Sequence, residues 1–228
     1  LLKTDTPVKR NEGKIFTHSL LERIELERVE IDEKRHYVTA EGQAYKSVTT
    51  ILGEKLSKKG LEDWKKRVGE VEAAKVSNLA ARRGTAVHDI AERYLLNEQF
   101  WTKGAMPANV ETFMMAKRVL DEHVDTIYGI EHFLYSDELK TAGATDVIAD
   151  YDGVTSIIDF KTSRGNKTES MIESYFLQAT CYALMAEERH GIQVPQIVII
   201  IMVDDAPEPL VFKKQKSLYT GRVRELFG

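Results

Sequence analysis

The pattern of apolar and polar positions divides the 228-residue chain into a helical middle and a strand-rich second half. The first eighteen residues lack periodicity and read as a tail. Partial alternation over residues 23–32 and 36–45, around Ile24, Leu26, Val29, Ile31, Tyr37 and Val38, predicts a β-hairpin. The hydroxyls of Ser47-Val48-Thr49-Thr50 suit a helix start, and helical sequence follows from Leu61 to Asn97, with breaks near Gly69 and Gly84. A second helix is expected from Pro107, a favoured first-turn residue, to Ile127. Strands are predicted over residues 130–135, 143–151 and 154–160, then a long helix over 168–190. The continuous β-branched run 196–203 reads as a buried central strand, followed by a short strand at 210–213 and a helix at 217–226. This order predicts an α/β (α+β) fold with a mixed central sheet flanked by helices. At this length one domain is expected, residues 19–228, with a helical region over 47–127 and a sheet core over 128–213.

Within the strand-rich half, Asp152-Gly153 between two alternating runs is a two-residue hairpin signal, because both residues tolerate the positive φ such a turn demands. With Tyr151 opposite Val154, the register sets Asp146 across from Asp159, and Lys161 points to the same face. Facing carboxylates repel unless one takes up a proton or a cation sits between them. Two carboxylates and a lysine at one spot suit one or two Mg²⁺ ions beside a phosphodiester, with Lys161 orienting water or balancing developing charge. A purely structural salt-bridge cluster uses the same residue types.

Composition narrows the chemistry. The single cysteine, Cys181, excludes an intrachain disulfide, a four-cysteine iron–sulfur cluster and a cysteine zinc site. Any metal is then held by oxygen and nitrogen. No apolar run approaches the ~20 residues that span a bilayer, so a soluble, intracellular protein without a membrane partner is expected. The net charge of −4 argues mildly against a polyanionic partner, yet residues 54–83 carry nine Lys and Arg against five acids, leaving −8 elsewhere. That segregation, with Lys58, Lys59, Lys65, Lys66, Arg67, Arg82 and Arg83, suits a nucleic-acid face as well as a solvated helix.

Several motifs in order carry a resemblance. Asp146 followed by Asp159-Phe160-Lys161-Thr162-Ser163 resembles the signature of the PD-(D/E)XK nuclease superfamily, and Gln178 and Tyr182 resemble the glutamine–tyrosine motif of its RecB-like branch. Upstream, Arg82-Arg83-Gly84-Thr85-Ala86-Val87-His88 is similar to that branch's helical histidine motif, and the matching order spans residues 47–204. The Ser47–Leu52 start and the lack of cluster cysteines look most like exonucleases of mitochondrial genome maintenance and of phages. Thr145 stands where proline precedes the first aspartate in other members, a departure common in the RecB-like branch.

The resemblance implies a restriction-endonuclease-like core with a helical, DNA-guiding region over the active site. It makes His88 a metal ligand with Asp146, Asp159 and the Phe160 carbonyl, and Glu131 a further catalytic or second-metal acid. It assigns Gln178 and Tyr182 to the DNA strand or to bracing the ligands, with Thr162 and Ser163 beside them. Arg82 and Arg83 precede Gly84 near a possible helix start, where guanidinium and backbone N–H groups both suit phosphate. Glu92, a turn beyond His88, is left outside the site. The expected function is Mg²⁺-dependent hydrolysis of DNA, with Mn²⁺ as substitute, by an exonuclease acting on single strands with a free end in replication, recombination or repair. A bacterial or phage-infected cytoplasm is the expected location, with the mitochondrion as the other. Alternatives are a structure- or sequence-specific endonuclease of the same superfamily and a non-catalytic nucleic-acid-binding protein.

Overall fold

The computed structural model describes residues 13–56 and 59–228. Its strands are β1 (Thr17–His18), β2 (Leu26–Ile31), β3 (Lys34–Thr39), β4 (Ala44–Ser47), β5 (Val124–Ser136), β6 (Thr141–Tyr151), β7 (Val154–Ser163), β8 (Gln196–Val203) and β9 (Leu210–Gln215). Its helices are α1 (Val48–Lys55), α2 (Lys59–Val68), α3 (Glu70–Leu95), α4 (Pro107–His123), α5 (Glu173–His190) and α6 (Ser217–Phe227). All nine strands form one mixed sheet. Its two faces are covered by separate cores. One holds Ile148, Ile157, Ile197 and Ile199 under α5 and α6, and the other holds Val147, Ile158, Val198 and Ile200 under α3 and α4. Each fully buried branched side chain contributes roughly 1.5–3 kcal/mol, which is why β8, apolar on both faces, lies inside the sheet between β7 and β9, although one place from its edge rather than at its centre as expected.

Sheet topology prepares the site. The β6–β7 hairpin turns at Asp152 and Gly153 with φ of 52° and 74°, and pairs Tyr151 with Val154 through to Val147 with Ile158. β5 covers one edge of β6 from 141 to 151. The other edge is shared: β7 takes residues 147–151, while β4 takes Thr141 and Ala142 in parallel. Residues 143–146 lie between those partners, where β6 and β7 diverge. Beyond the fork, Asp159–Ser163 stay in register with β8 alone.

Several expectations need correction. The tail expected to run to residue 18 ends sooner, because Phe16 is buried against Tyr94 with ring centroids 5.5 Å apart. Asn97 also holds both backbone groups of Phe16 at 2.9 Å, and β1 pairs with Thr126 and Ile127. One aromatic anchor and a two-residue strand leave no period to read; residues 1–12 and Lys58 lie outside the described residues. The expected hairpin at 23–45 is three strands. The expected break at Gly84 is absent: α3 runs through it, since a glycine weakens a helix by only ~1 kcal/mol. Consequently Arg82 and Arg83 stand in mid-helix, where their backbone N–H groups are used internally and a helix-start phosphate site is ruled out. The helix from Pro107 ends at His123, and residues 124–127 belong to β5. The break at Gly69 does occur, and Ser47 caps α1 by accepting the Thr50 N–H at 3.1 Å.

Candidate active site

The fork between β6 and β7 holds the expected acids and lysine. Where the ladder would continue past Val147 and Ile158, the Asp146 carboxylate instead accepts the Phe160 N–H at 2.7 Å. The strands therefore separate just before the expected Asp146–Asp159 pair, and a side chain replaces a backbone acceptor. Asp159 is only 2% exposed and its Oδ2 lies 2.5 Å from Lys161 Nζ, although that oxygen has no partner of good hydrogen-bond angle. Lys161 Nζ also stands 5.2 Å from the centroid of the Tyr175 ring. Both contacts hold the ammonium.

His88 comes to the fork from the anchored end of α3, where Val87, Ile90, Ala91, Tyr94 and Leu95 are buried. Its Nε2 is 3.0 Å from the Phe160 carbonyl and its Nδ1 is 3.4 Å from Asp146 Oδ1. Donation from Nε2 to the carbonyl leaves Nδ1 facing the carboxylate. Glu131 completes the group from β5, at an unusual φ of 44° for a non-glycine residue. Such backbone is costly and clusters at functional sites. His88, Glu131 and Asp146 each offer one ligand atom, all within 4.8 Å of one another. Asp159 stands outside that trio, paired with Lys161.

The charges are out of balance without a cation. Burial pushes the Asp159 carboxyl up to about 6, Asp146 adding to the effect and Lys161 opposing it. Desolvation and then the Asp146 charge push Glu131 up to about 7. Burial alone would lower His88, yet Asp146 outweighs it and carries the ring up to about 9. Burial also works to raise Asp146, but His88, Lys161 and the Phe160 N–H hold it below the ordinary carboxylate range. Carboxylate oxygens with one imidazole nitrogen, and a buried carboxylate oxygen lacking a well-aligned partner, fit a hard divalent cation.

The remaining predicted residues divide between this fork and its surroundings. Tyr182 is buried, takes a hydrogen bond from Gln178, and packs so closely on Gly143 that a Cβ there would lie 2.8 Å from the tyrosine ring and hydroxyl. The pair braces the fork from α5. Phe160 offers its carbonyl to His88. Thr162 and Ser163 end β7, Ser163 Oγ donating to the Gly165 carbonyl at 2.7 Å. Arg83 is tied to Thr112 at 2.9 Å and to Asp204, whereas Arg82 is exposed. Lys65, Lys66 and Arg67 are exposed on α2. Gly143 and Asp204 escaped the sequence reading. A glycine inside a strand was the available signal for the first; nothing marked the second.

No curated protein matches this chain. A solved structure described as "Putative exonuclease", from Eubacterium rectale, is similar over 63% of this chain and 62% of its own, at 14% identity and a TM-score of 0.42. The chain therefore spans about three fifths of that protein. The profile of the PD-(D/E)XK nuclease superfamily matches residues 16–216, a range that runs from the Phe16 anchor through the whole fork to the end of β9. Sheet, acids, lysine and profile agree, and the chain belongs to the PD-(D/E)XK nuclease superfamily, whose members hydrolyse nucleic-acid phosphodiester bonds with the help of divalent metals.

Proposed function

We propose that the chain is a Mg²⁺-dependent deoxyribonuclease, acting as an exonuclease on single-stranded DNA in replication, recombination or repair. The observation that carries the reading is the fork itself, which brings Asp146, Asp159 and Lys161 together beside His88. His88, Asp146 and Glu131, whose ligand atoms converge, would hold the cation, with Asp159 and the Phe160 carbonyl as further ligands. When bound, a divalent cation polarises the phosphodiester and acidifies a water for attack. The protein's own role is orientation. The Phe160 N–H fixes one Asp146 oxygen and leaves the other toward His88, while the Phe160 carbonyl sets the imidazole tautomer so that Nδ1 is the free donor atom. Lys161, held between Asp159 and the Tyr175 ring, keeps a positive charge where the phosphorus gains negative charge. Gln178 and Tyr182 stiffen β6 behind the ligands. Arg82, Arg83, Thr162 and Ser163 border the path of the strand, and the basic face of α2 supports attraction of DNA toward it.

The test uses end-labelled single-stranded DNA, linear and circular, with Mg²⁺, with Mn²⁺ and with EDTA. Linear DNA is degraded from an end, Mn²⁺ substitutes, EDTA abolishes cleavage and the circle resists. Efficient cutting of the circle favours the endonuclease reading, and binding without any cleavage favours the non-catalytic one.

A further inference from the structure

Just past Lys161, between α3 and the ends of β7 and β8, lies a cleft of about 230 Å³ bordered by Arg83, Thr162, Ser163, Arg164 and Asp204. Two features of its walls stand out. Arg83, about one-quarter exposed, makes an ion pair with Asp204 across the cleft and donates to Thr112 Oγ1 at 2.9 Å. Asp204 Oδ1 is buried yet has no hydrogen bond of ordinary angle, so its attraction to Arg83 lacks the directional, bidentate fit that makes such pairs strong. The backbone of Asp204 is anchored, since its N–H donates to the Ser163 carbonyl at 2.9 Å.

The position matters as much as the pairing. At ~3.3 Å per residue, Ser163 lies ~6.6 Å beyond Lys161 along β7, one or two nucleotides from a phosphodiester held at the fork. Thr162 adds a half-buried hydroxyl from the same strand. An arginine fork, a hydroxyl and a second arginine around a small cleft suit a backbone phosphate. The carboxylate already there has the same charge sign and hydrogen-bonding character.

We propose that this cleft is a subsite for a nucleic-acid backbone phosphate next to the scissile one, with Asp204 as a built-in anionic place-holder that keeps Arg83 poised and is exchanged for the incoming phosphate. The proposal rests on the nuclease reading above. It gives an acidic side chain a role opposite to that of the metal ligands: Asp204 competes with the substrate. Exchange of one anion for another keeps Arg83 neutralised at every stage, so the arginine never stands desolvated and unpaired. It also means that Arg83 contributes little to the salt dependence of binding, because its charge is already compensated before DNA arrives.

The experiment measures anisotropy of a labelled oligothymidylate over a salt series in EDTA, with cleavage in Mg²⁺ and thermal unfolding in parallel. Asp204→Asn is expected to bind about fivefold tighter, the scale of a partly exposed ion pair, with a log–log salt slope steeper by ~0.7 for one added phosphate contact. Asp205→Asn, an equal charge change at an exposed neighbour, changes neither by as much, and adding Arg83→Ala to Asp204→Asn erases the gain. Asp204→Ser carries the same expectations should the asparagine variant fail to fold. Unchanged or weaker binding by a folded Asp204 variant overturns the proposal, as does a gain that persists without Arg83 or is matched by Asp205→Asn. Those results leave wild-type cleavage intact; a wild-type protein that neither binds nor cleaves the oligonucleotide overturns the nuclease reading and this one with it.

Discussion

The two ends of α3 live in different environments. Its last third packs into the core with five buried residues and delivers His88 to the fork, whereas from Glu70 to Ala86 only Ala73 is buried. Val71 and Leu79 on that free stretch are 73% and 60% exposed. The helix is ~39 Å long at 1.5 Å per residue, so one rigid rod joins a candidate metal ligand to an exposed arm carrying Lys75 and Arg82, with the basic α2 packed beside it. Placement of metal ligands demands burial and ladder hydrogen bonds; attraction of a polyanion demands exposed charge. On the proposed function these demands are separated along one helix, and substitutions at the fork and on the basic surface should fail in different ways.

The largest effect is expected at the fork. Asp159→Asn or Lys161→Ala should lower cleavage by ~10²-fold or more, the scale of losing a preorganised electrostatic group; Asp159→Asn should do so without loss of thermal stability in metal-free buffer, whereas Lys161→Ala should cost some stability by leaving the buried Asp159 unpaired. Asp159→Asn should even raise that stability, because burial and Asp146 already disfavour the ionised carboxyl. Cleavage assays beside thermal melts check both; near-normal cleavage would remove these residues from the chemistry.

Next in size, Gly143→Ala forces a methyl against Tyr182 and should destabilise the protein by ~1–3 kcal/mol, as overpacking does, and lower cleavage with it. Urea unfolding reads the first effect. A variant as stable as its parent would mean the fork can widen, and that Tyr182 does not set its width.

A smaller effect links pH to the cation. Asp159, Glu131 and His88 have folded values near 6, 7 and 9, all above their ordinary ones, so the metal-free fold binds the extra protons. Their contribution to stability is complete below the ordinary values and is lost as pH rises through the folded ones. Asp146, shifted downward, contributes in the opposite sense, and its contribution is lost only in acid. A cation replaces the lost protons, so the rise in unfolding temperature on adding Mg²⁺ should be larger near pH 8 than near pH 5. An equal rise at both would show that the ion binds elsewhere.

The smallest effect on stability is expected on α2, beside the arm. Reversing Lys65, Lys66 and Arg67 to glutamate should change stability by less than ~0.5 kcal/mol, as exposed substitutions do. It should also weaken oligonucleotide binding and flatten its salt slope by ~0.7 per lost contact. An unchanged slope would reduce the charge of α2 to a solvated surface.

The same division explains what the sequence made legible. The strands β6, β7 and β8 announce themselves by alternation, a two-residue turn and one doubly apolar run, because their side chains enter one or other of the two cores. The hairpin register was readable from Asp152-Gly153 to Val147/Ile158. It failed at the next pair, where Asp146 turns from ladder member to acceptor for Phe160, a choice made by the third dimension. Glu131 could not be positioned because the connection that follows Ser136 is too long to fix register from sequence, although in the fold its neighbours pair regularly, Ile130 with Val147 and His132 with Thr145. His88 was suggested by resemblance, and its two ring partners came only with the fold. Asp204 was invisible, since its interest lies in Arg83, 121 positions away.

The Asp159–Ser163 half of β7 has β8 as its ladder partner, and β8 is among the later elements of the chain. A nascent polypeptide that has emerged only as far as the Asp159-Phe160-Lys161 segment therefore has its acids and lysine but no strand to hold them straight, and β4 reaches β6 only after some ninety-five intervening residues have been made. Contacts of such sequence separation form slowly. Assembly of the fork thus waits for β8, and on the proposed function a translation product ending before residue 196 would carry the acids and the lysine without an ordered site to cut with.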